Sequence, residues 1–439
     1  MSLLKLSHAF IITLSLVFPL TSYAELDKTE RELIKHVEKN IPQALQEIEQ
    51  AVNINSGSLN IDGVKKVGEL ASEQLKAIGF KVEWLDGSAF NRAGHVLATH
   101  ESKNPDAIKI LMIGHLDTVF AKHDDFQNYK LLSSTQASGP GVADMKGGNT
   151  IIITALKSLQ ELELLENVSI KVILTGDEES SGRPLSLSKQ AIVDAAKWAD
   201  VALGYENGDN NIETAMAARR GYTGWKLTVD GQAAHSSQIF SDTVGFGAIY
   251  EASRILNSFR EQLGTQPNLT FNPGLIVGGT TIDYDKTNSS ATAFGKSNVI
   301  AQKVHVAGDL RALSPEQVEN AKKTMQQIVS KSLNGASALL EFEEGYPPMG
   351  LSEGNKKLLA MYSKASLDLG YNKVVAANPR NAGAADISFA ANHVEMALDG
   401  LGLMGSGAHT KNESADLTSL NKNIEKTSLL IYRLGKLEE

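Results

Sequence analysis

Ile110-Leu111-Met112-Ile113-Gly114-His115-Leu116-Asp117-Thr118-Val119 is the stretch on which the fold turns. Its first half is an apolar run short enough for a buried strand, and the run ends in a histidine and an aspartate two residues apart. Alternate residues of an extended chain point the same way, so both polar groups leave the strand end together. Taken alone, the stretch admits two readings: two metal-ligand side chains at the mouth of a strand, or a core histidine bonded to a nearby carboxylate.

Two later runs repeat the design. Val168-Ser169-Ile170-Lys171-Val172-Ile173-Leu174-Thr175 leads into Gly176-Asp177-Glu178-Glu179, and Val201-Ala202-Leu203-Gly204 leads into Tyr205-Glu206. Between the first two, Gly139-Pro140-Gly141-Val142-Ala143-Asp144-Met145-Lys146-Gly147-Gly148 reads as a loop that opens an apolar helix through Leu159. Helices are expected over Asp27–Gln50 and Ile61–Ile78, the latter stopped by Gly79, and strands over Lys81–Leu85 and His95–Thr99. Strands alternating with helices predict an α/β fold, a three-layer domain with a mostly parallel sheet.

After Arg219-Arg220-Gly221, read as the domain junction, the rhythm changes. Strands are expected over Thr223–Val229, Leu269–Val277, Ser297–Leu310 and Ala338–Glu343, with helices over Val244–Leu263 and Pro315–Leu333. This β-α-β-β-α-β order predicts an inserted ferredoxin-like domain. A helix over Glu353–Leu369 and a strand over Val394–Leu398 then return to α/β character. The expected organisation is a signal peptide over 1–24, a first, α/β domain over 25–217 and 347–439, and the insertion over 218–346.

Bulk properties narrow the function. A chain of 439 residues exceeds one ordinary core. The net charge of -9, with no long basic run, argues against nucleic acid or an anionic membrane as partner. Lys5, the apolar run Ala9–Phe18 and Ser22-Tyr23-Ala24 read as a secretory signal cleaved after Ala24, which predicts a periplasmic or secreted protein without stable membrane anchoring. The alternative, a membrane anchor, needs an apolar run of about 20 residues, which this one does not reach. The chain has no cysteine, so disulfides are excluded and any metal is held by histidine and carboxylate.

His115, Asp117, Asp144, Glu178, Glu179 and Glu206 all follow strand ends or open loops, where open α/β sheets bind ligands, and His409 lies in the late loop Gly405-Ser406-Gly407-Ala408-His409-Thr410. So many carboxylates without an adjacent Lys or Arg repel one another, and divalent cations are the natural compensation. Oxygen and imidazole donors without thiolate suit zinc, with cobalt or manganese as substitutes. The donor count suffices for two ions sharing one carboxylate, and one acid of Glu178-Glu179 is then free to act as a general base.

The set Gly114–Val119, Gly139–Gly148, Asp177–Ser180, Glu206 and Gly407–His409 resembles the zinc metallopeptidase family of carboxypeptidase G, aminoacylase, acetylornithine deacetylase and succinyl-diaminopimelate desuccinylase. The motifs fall in that family's order over essentially the whole mature chain, and are nearest in type to its glutamate carboxypeptidases. The resemblance implies a zinc-exopeptidase catalytic domain and a lid through which two copies dimerise. It implies that Asp144 bridges two zinc ions, with His115 and Glu206 on one and Glu179 and His409 on the other. Glu178 is then the base, and Asp117 orients His115. A cis peptide is implied between Asp144 and Met145. His235, in Ala233-Ala234-His235-Ser236-Ser237, matches the histidine that reaches an active site, usually the partner subunit's, and polarises the scissile carbonyl; a surface-loop histidine is the alternative.

Asn298, Arg311 and Gly383 match substrate-binding positions, Arg311 as a grip for a carboxylate, although a salt bridge to Asp309 is the competing reading. Asn381-Ala382-Gly383-Ala384-Ala385-Asp386 departs from the family's Gly-rich Ser-Asp loop, since Ala385 replaces the serine, which bears on substrate preference. The expected activity is hydrolysis of an amide bond beside a free carboxylate, in a small peptide or an N-acyl amino acid. Glu206, where the family's aminopeptidases tend to have aspartate, tilts the reading to a carboxypeptidase. An N-acyl-amino-acid deacylase is the alternative, and a two-lobed periplasmic solute-binding protein, which has no use for a spare acid, the distant one.

Overall fold

A computed structural model describes residues 26–285 and 290–437; the expected signal segment, residues 1–24, lies outside them. The strand Ile108–His115 sits inside a six-stranded sheet. In sheet order the strands are Lys81–Asp86, Gly94–His100, Val168–Thr175, Ile108–His115, Val201–Gly204 and Met396–Leu398. The last four run parallel, while Gly94–His100 is antiparallel to both its neighbours, so the sheet is mostly parallel.

Period-two geometry explains the layers. Ile110 and Met112 face the helices Lys28–Val52, Gly147–Gln160 and Thr418–Leu434, whose Leu33, Ile151 and Ile424 share their core. Leu111 and Ile113 face the opposite way, onto Ile192 and Ala195 of the helix Gln190–Ala196. Covered on both faces, the strand can be apolar from Ile110 to Gly114, as its sequence is. Local signals set the helix boundaries. Asp27 and Glu30 form a reciprocal capping box at the first helix, and Asn60 caps Ile61–Ala77. Among the described residues no helix is long and apolar enough to cross a membrane.

Thr223–Gly231, Thr270–Gly279, Lys303–Arg311 and Ala336–Phe342 form a separate antiparallel sheet, in the order second, third, first, fourth. The helices Gly247–Leu263 and Pro315–Val329 pack on it through Phe259 and Met325, against Trp225, Leu227 and Val306. This is the ferredoxin-like arrangement the chain order predicts. One expectation needs correction: the strand expected from Ser297 starts at Lys303. The chain before it turns at 297–298 and is preceded by a hairpin, Thr281–Asp285 with Ser290–Phe294. That hairpin is largely exposed and carries little apolar patterning, so it gives no buried-strand signal.

A small sheet that periodicity does not reveal joins distant loops. Gln136–Ser138 pairs with both Lys130–Ser133 and Ser414–Asp416, and the last pairs with Gly405–Ser406. The register of Ser138 with Ser414 sets the Gly139–Asp144 loop beside the loop that carries His409.

Candidate active site

Three neighbouring parallel strands end together. His115 is opposite Thr175, and Ile113 opposite Gly204, so Gly176–Glu179 and Glu206 leave the same edge as His115. Asp144 arrives from the loop before Gly147–Gln160, where its φ and ψ of -121° and 90° depart from helical values and its peptide bond to Met145 is cis, as expected.

The Asp144 carboxylate stands between two histidines. Its Oδ1 is 3.2 Å from His115 Nε2, and its Oδ2 is 3.2 Å from His409 Nε2. Glu206 Oε1 lies 3.4 Å from His115 Nε2, and Glu179 Oε2 lies 3.1 Å from His409 Nε2. The result is two triads, His115–Asp144–Glu206 and Asp144–Glu179–His409, each with donor atoms within 4.8 Å of one another. The set is oxygen and imidazole only, the donor chemistry of a hard or borderline divalent cation.

His115 Nδ1 lies 3.0 Å from the Asp117 carbonyl; donating its proton there leaves Nε2 to face the triad. The Asp117 carboxylate is itself fixed. It accepts the Ser58 hydroxyl at 2.6 Å and the amides of Glu178 and Glu179 at 3.0 and 3.1 Å. One buried aspartate thus ties the histidine strand to the loop that carries both glutamates. Glu178 belongs to neither triad, and its carbonyl accepts the Tyr346 hydroxyl at 3.1 Å.

The electrostatics are those of a site short of positive charge. Burial, with the Glu206 charge, raises Glu178 well above the carboxylate range; burial lifts Glu179 to about 7 and raises Glu206 as well. Burial opposes a charged imidazole at His115, yet Asp117, Asp144 and Glu206 outweigh it and hold its pKa well up. Bonds from Asp144 and Glu179 push His409 to about 11. A bound cation meets the same demand.

Glu413 and the pair Arg219–Asp399 escape the strand-end reading. The buried Glu413 carboxylate accepts the amides of Gly141, Ala143 and Asp144 at 3.0, 2.9 and 3.1 Å, so it shapes the loop that presents Asp144. Nothing local in the sequence marks it. Asp399 accepts the Glu206 amide at 3.3 Å and Arg219 Nε at 2.6 Å, while Arg219 Nη1 donates to the Gly383 carbonyl at 2.8 Å. Asp399 directly follows the strand Met396–Leu398, so the strand-end rule could have found it.

The remaining expected residues belong to neither triad. His235 is exposed and its Nδ1 is 2.8 Å from Ser237 Oγ. Asn298 is exposed beside it, its carbonyl accepting the Ser236 amide at 2.9 Å. Arg311 Nε is bonded to Asp309 at 2.8 Å, the competing reading of that residue, and its guanidinium lies 5.5 Å from the Tyr222 ring centre. Gly383 is exposed, with open space where a side chain would stand.

Residues 111–433 match the model of peptidase family M20/M25/M40. The chain belongs to that family. Carboxypeptidase G2 of Pseudomonas sp. (strain RS-16) is 26% identical over 400 residues, 90% of each chain. Acetylornithine deacetylase of Pasteurella multocida is 25% identical over 226 residues, 49% of this chain and 56% of that one. In three dimensions aminopeptidase PepT of Bacillus cereus superposes with a TM-score of 0.70 at 17% identity, over 90% of this chain and 99% of that one. As a member of the M20 family the chain is a hydrolase of the metallopeptidase and amidohydrolase type.

Proposed function

We propose that this M20 hydrolase is an exported dinuclear zinc metallocarboxypeptidase that cleaves an amide bond adjacent to a free carboxylate. The observation that carries the reading is the division of the Asp144 carboxylate, Oδ1 toward His115 and Oδ2 toward His409, with Glu178 outside both triads. The donor set fits two zinc ions, or cobalt or manganese in their place: His115 and Glu206 for one, Glu179 and His409 for the other, Asp144 shared. Bound there, the ions supply Lewis acidity to the scissile carbonyl and lower the pKa of water toward about 7.

The chain's own groups do the rest. Glu178 takes a proton from the attacking water and returns it to the leaving amine. Asp117 fixes the His115 ring. Residues 218–346 act as a lid and pair two copies, bringing His235 to the partner's scissile carbonyl. Arg311 exchanges Asp309 for the substrate carboxylate, with Asn298 and Gly383 beside it. Residues 1–24 direct export to the periplasm or beyond, and N-terminal sequencing of the secreted form should begin at Glu25.

Likeness to carboxypeptidase G2 over most of both chains, together with Glu206, supports a carboxypeptidase. Likeness to acetylornithine deacetylase supports a second reading, an N-acyl-amino-acid deacylase with the same site. Release of C-terminal glutamate from N-blocked dipeptides, compared with hydrolysis of N-acetyl amino acids, separates the two. For the shared mechanism, Glu178→Ala should abolish turnover while retaining metal, and a chelator should inactivate the wild type until zinc is restored. Undiminished activity in either experiment rejects it.

A further inference from the structure

A cavity of about 550 Å³ opens beside the Asp144–Glu179–His409 triad. Its walls are the loops Gly57–Asp62 and Thr118–Lys122, and Glu179 and Ser180 form part of its lining. The walls are joined to each other and to the site. Ser58 N donates to the Thr118 carbonyl at 3.2 Å, Thr118 N to the Ser56 carbonyl at 2.9 Å, and Ser58 Oγ to the Asp117 carboxylate that holds Glu178 and Glu179. Gly57 is packed so closely that a Cβ would lie 2.3 Å from the Phe120 carbonyl oxygen, so the two loops form one fixed wall. The cavity is preformed rather than a gap between mobile segments.

Its lining is mixed, with Asn60, Asp62 and Lys122 beside four apolar side chains. Leu59, Ile61, Val119 and Ala121 contribute, and Leu59 is 75% exposed and Val119 39% exposed. Two large aliphatic side chains left in water at the rim of a cleft mark a surface that gains from being covered. The volume lies within the usual range for small-molecule sites, roughly 300–1,000 Å³.

The direction of the cleft identifies the occupant. The Gly383 loop is linked through Arg219 and Asp399 to Glu206, hence to the His115 side of Asp144. The cavity lies on the opposite side, against Glu179. A substrate whose carboxylate is held on the Gly383 side and whose scissile carbonyl lies at Asp144 extends its acyl portion into the cavity. We propose that this cavity is the acyl-side subsite and that it takes an apolar acyl group, aryl or branched alkyl, with Leu59 and Val119 as specificity-determining residues. The inference rests on the amide-hydrolase reading of the same site.

The test uses the zinc-loaded full mature chain and an N-acetyl, N-butyryl and N-benzoyl series of each of two amino acids. In the wild type kcat/KM should rise by about tenfold or more from acetyl to benzoyl, as expected for added apolar contact in a pocket. Leu59→Ser and Val119→Ser, both at exposed positions, should shrink that ratio to about threefold or less, chiefly by lowering kcat/KM for the N-benzoyl compound. A wild type with no acyl preference, or variants that keep the full ratio, overturns the subsite while leaving the hydrolase reading intact. Variants that change the preference for the amino acid instead place the carboxylate half in the cavity and overturn the assignment. Absence of turnover on every amide in the series rejects the hydrolase reading and the subsite with it.

Discussion

Glu413 shows how much of a site can rest on a residue that never faces the ligand. Three amides of the Asp144 loop converge on its carboxylate, and burial lifts that carboxyl to about 7. In Glu413→Gln one oxygen becomes a donor facing donors, so at least one loop amide loses its acceptor. Zinc affinity, measured by competition with a chromophoric chelator, should fall by about 10–100-fold, the usual effect of removing a group that orients a ligand. Unchanged affinity would mean that the loop holds its shape without Glu413. His115, Asp117, Asp144, Glu178, Glu179 and Glu206 were all legible in the sequence because each follows an apolar run or a glycine-rich turn. Glu413 was not, since its role depends on hydrogen bonds across about 270 residues of chain, and no periodicity encodes those.

At the scale of elements, the C-terminal helix Thr418–Leu434 carries a cost that its sequence hides. Lys426 is buried, its ammonium 3.3 Å from the Ile212 carbonyl and 4.9 Å from the Tyr362 ring centre. Burial, with repulsion from Lys422, lowers its pKa from 10.5 to about 7. The unfolded chain therefore binds this proton more tightly, so the folded state gains stability as pH rises from about 7 to 10.5 and bears the full penalty below about 7. Lys426→Met, of similar volume, should raise the melting temperature by a few degrees at pH 7, and by much less near pH 10. An equal gain at both pH values would remove the charge as the cause. Most elements followed from pattern: the His115 strand from its apolar run, the first helix from the helical spacing of Leu33, Val37, Ile41, Leu45 and Ile48. The hairpin Thr281–Asp285 with Ser290–Phe294 and the small sheet around Gln136–Ser138 did not, because exposed short strands bury too little to need a pattern.

For the molecule as a whole, the question is how the inserted ferredoxin-like unit serves the site. His235 and Asn298 lie together on it, exposed and members of neither triad. If His235 acts in the partner's site, mixing His235→Ala protein with Glu178→Ala protein under conditions of subunit exchange should restore activity. Random exchange gives half heterodimers with one complete site of two, about a quarter of wild-type activity. No recovery, with heterodimers verified by mass, places the histidine in its own chain's site or outside catalysis.

The sequence by itself determined the α/β class and the ferredoxin-like insertion through local periodicity, and it offered the triad residues as candidates, His115, Glu179 and Glu206 after strand ends and Asp144 and His409 in glycine-containing loops, with their grouping implied by the family resemblance. What only the tertiary structure decided is how those residues are held: Asp144 shared oxygen by oxygen between two histidines, Asp117 bound by Ser58 and two amides, and a cavity closed by loops some 60 residues apart. These relations arise from hydrogen bonds and packing between distant segments, which exist only once the chain has brought them together.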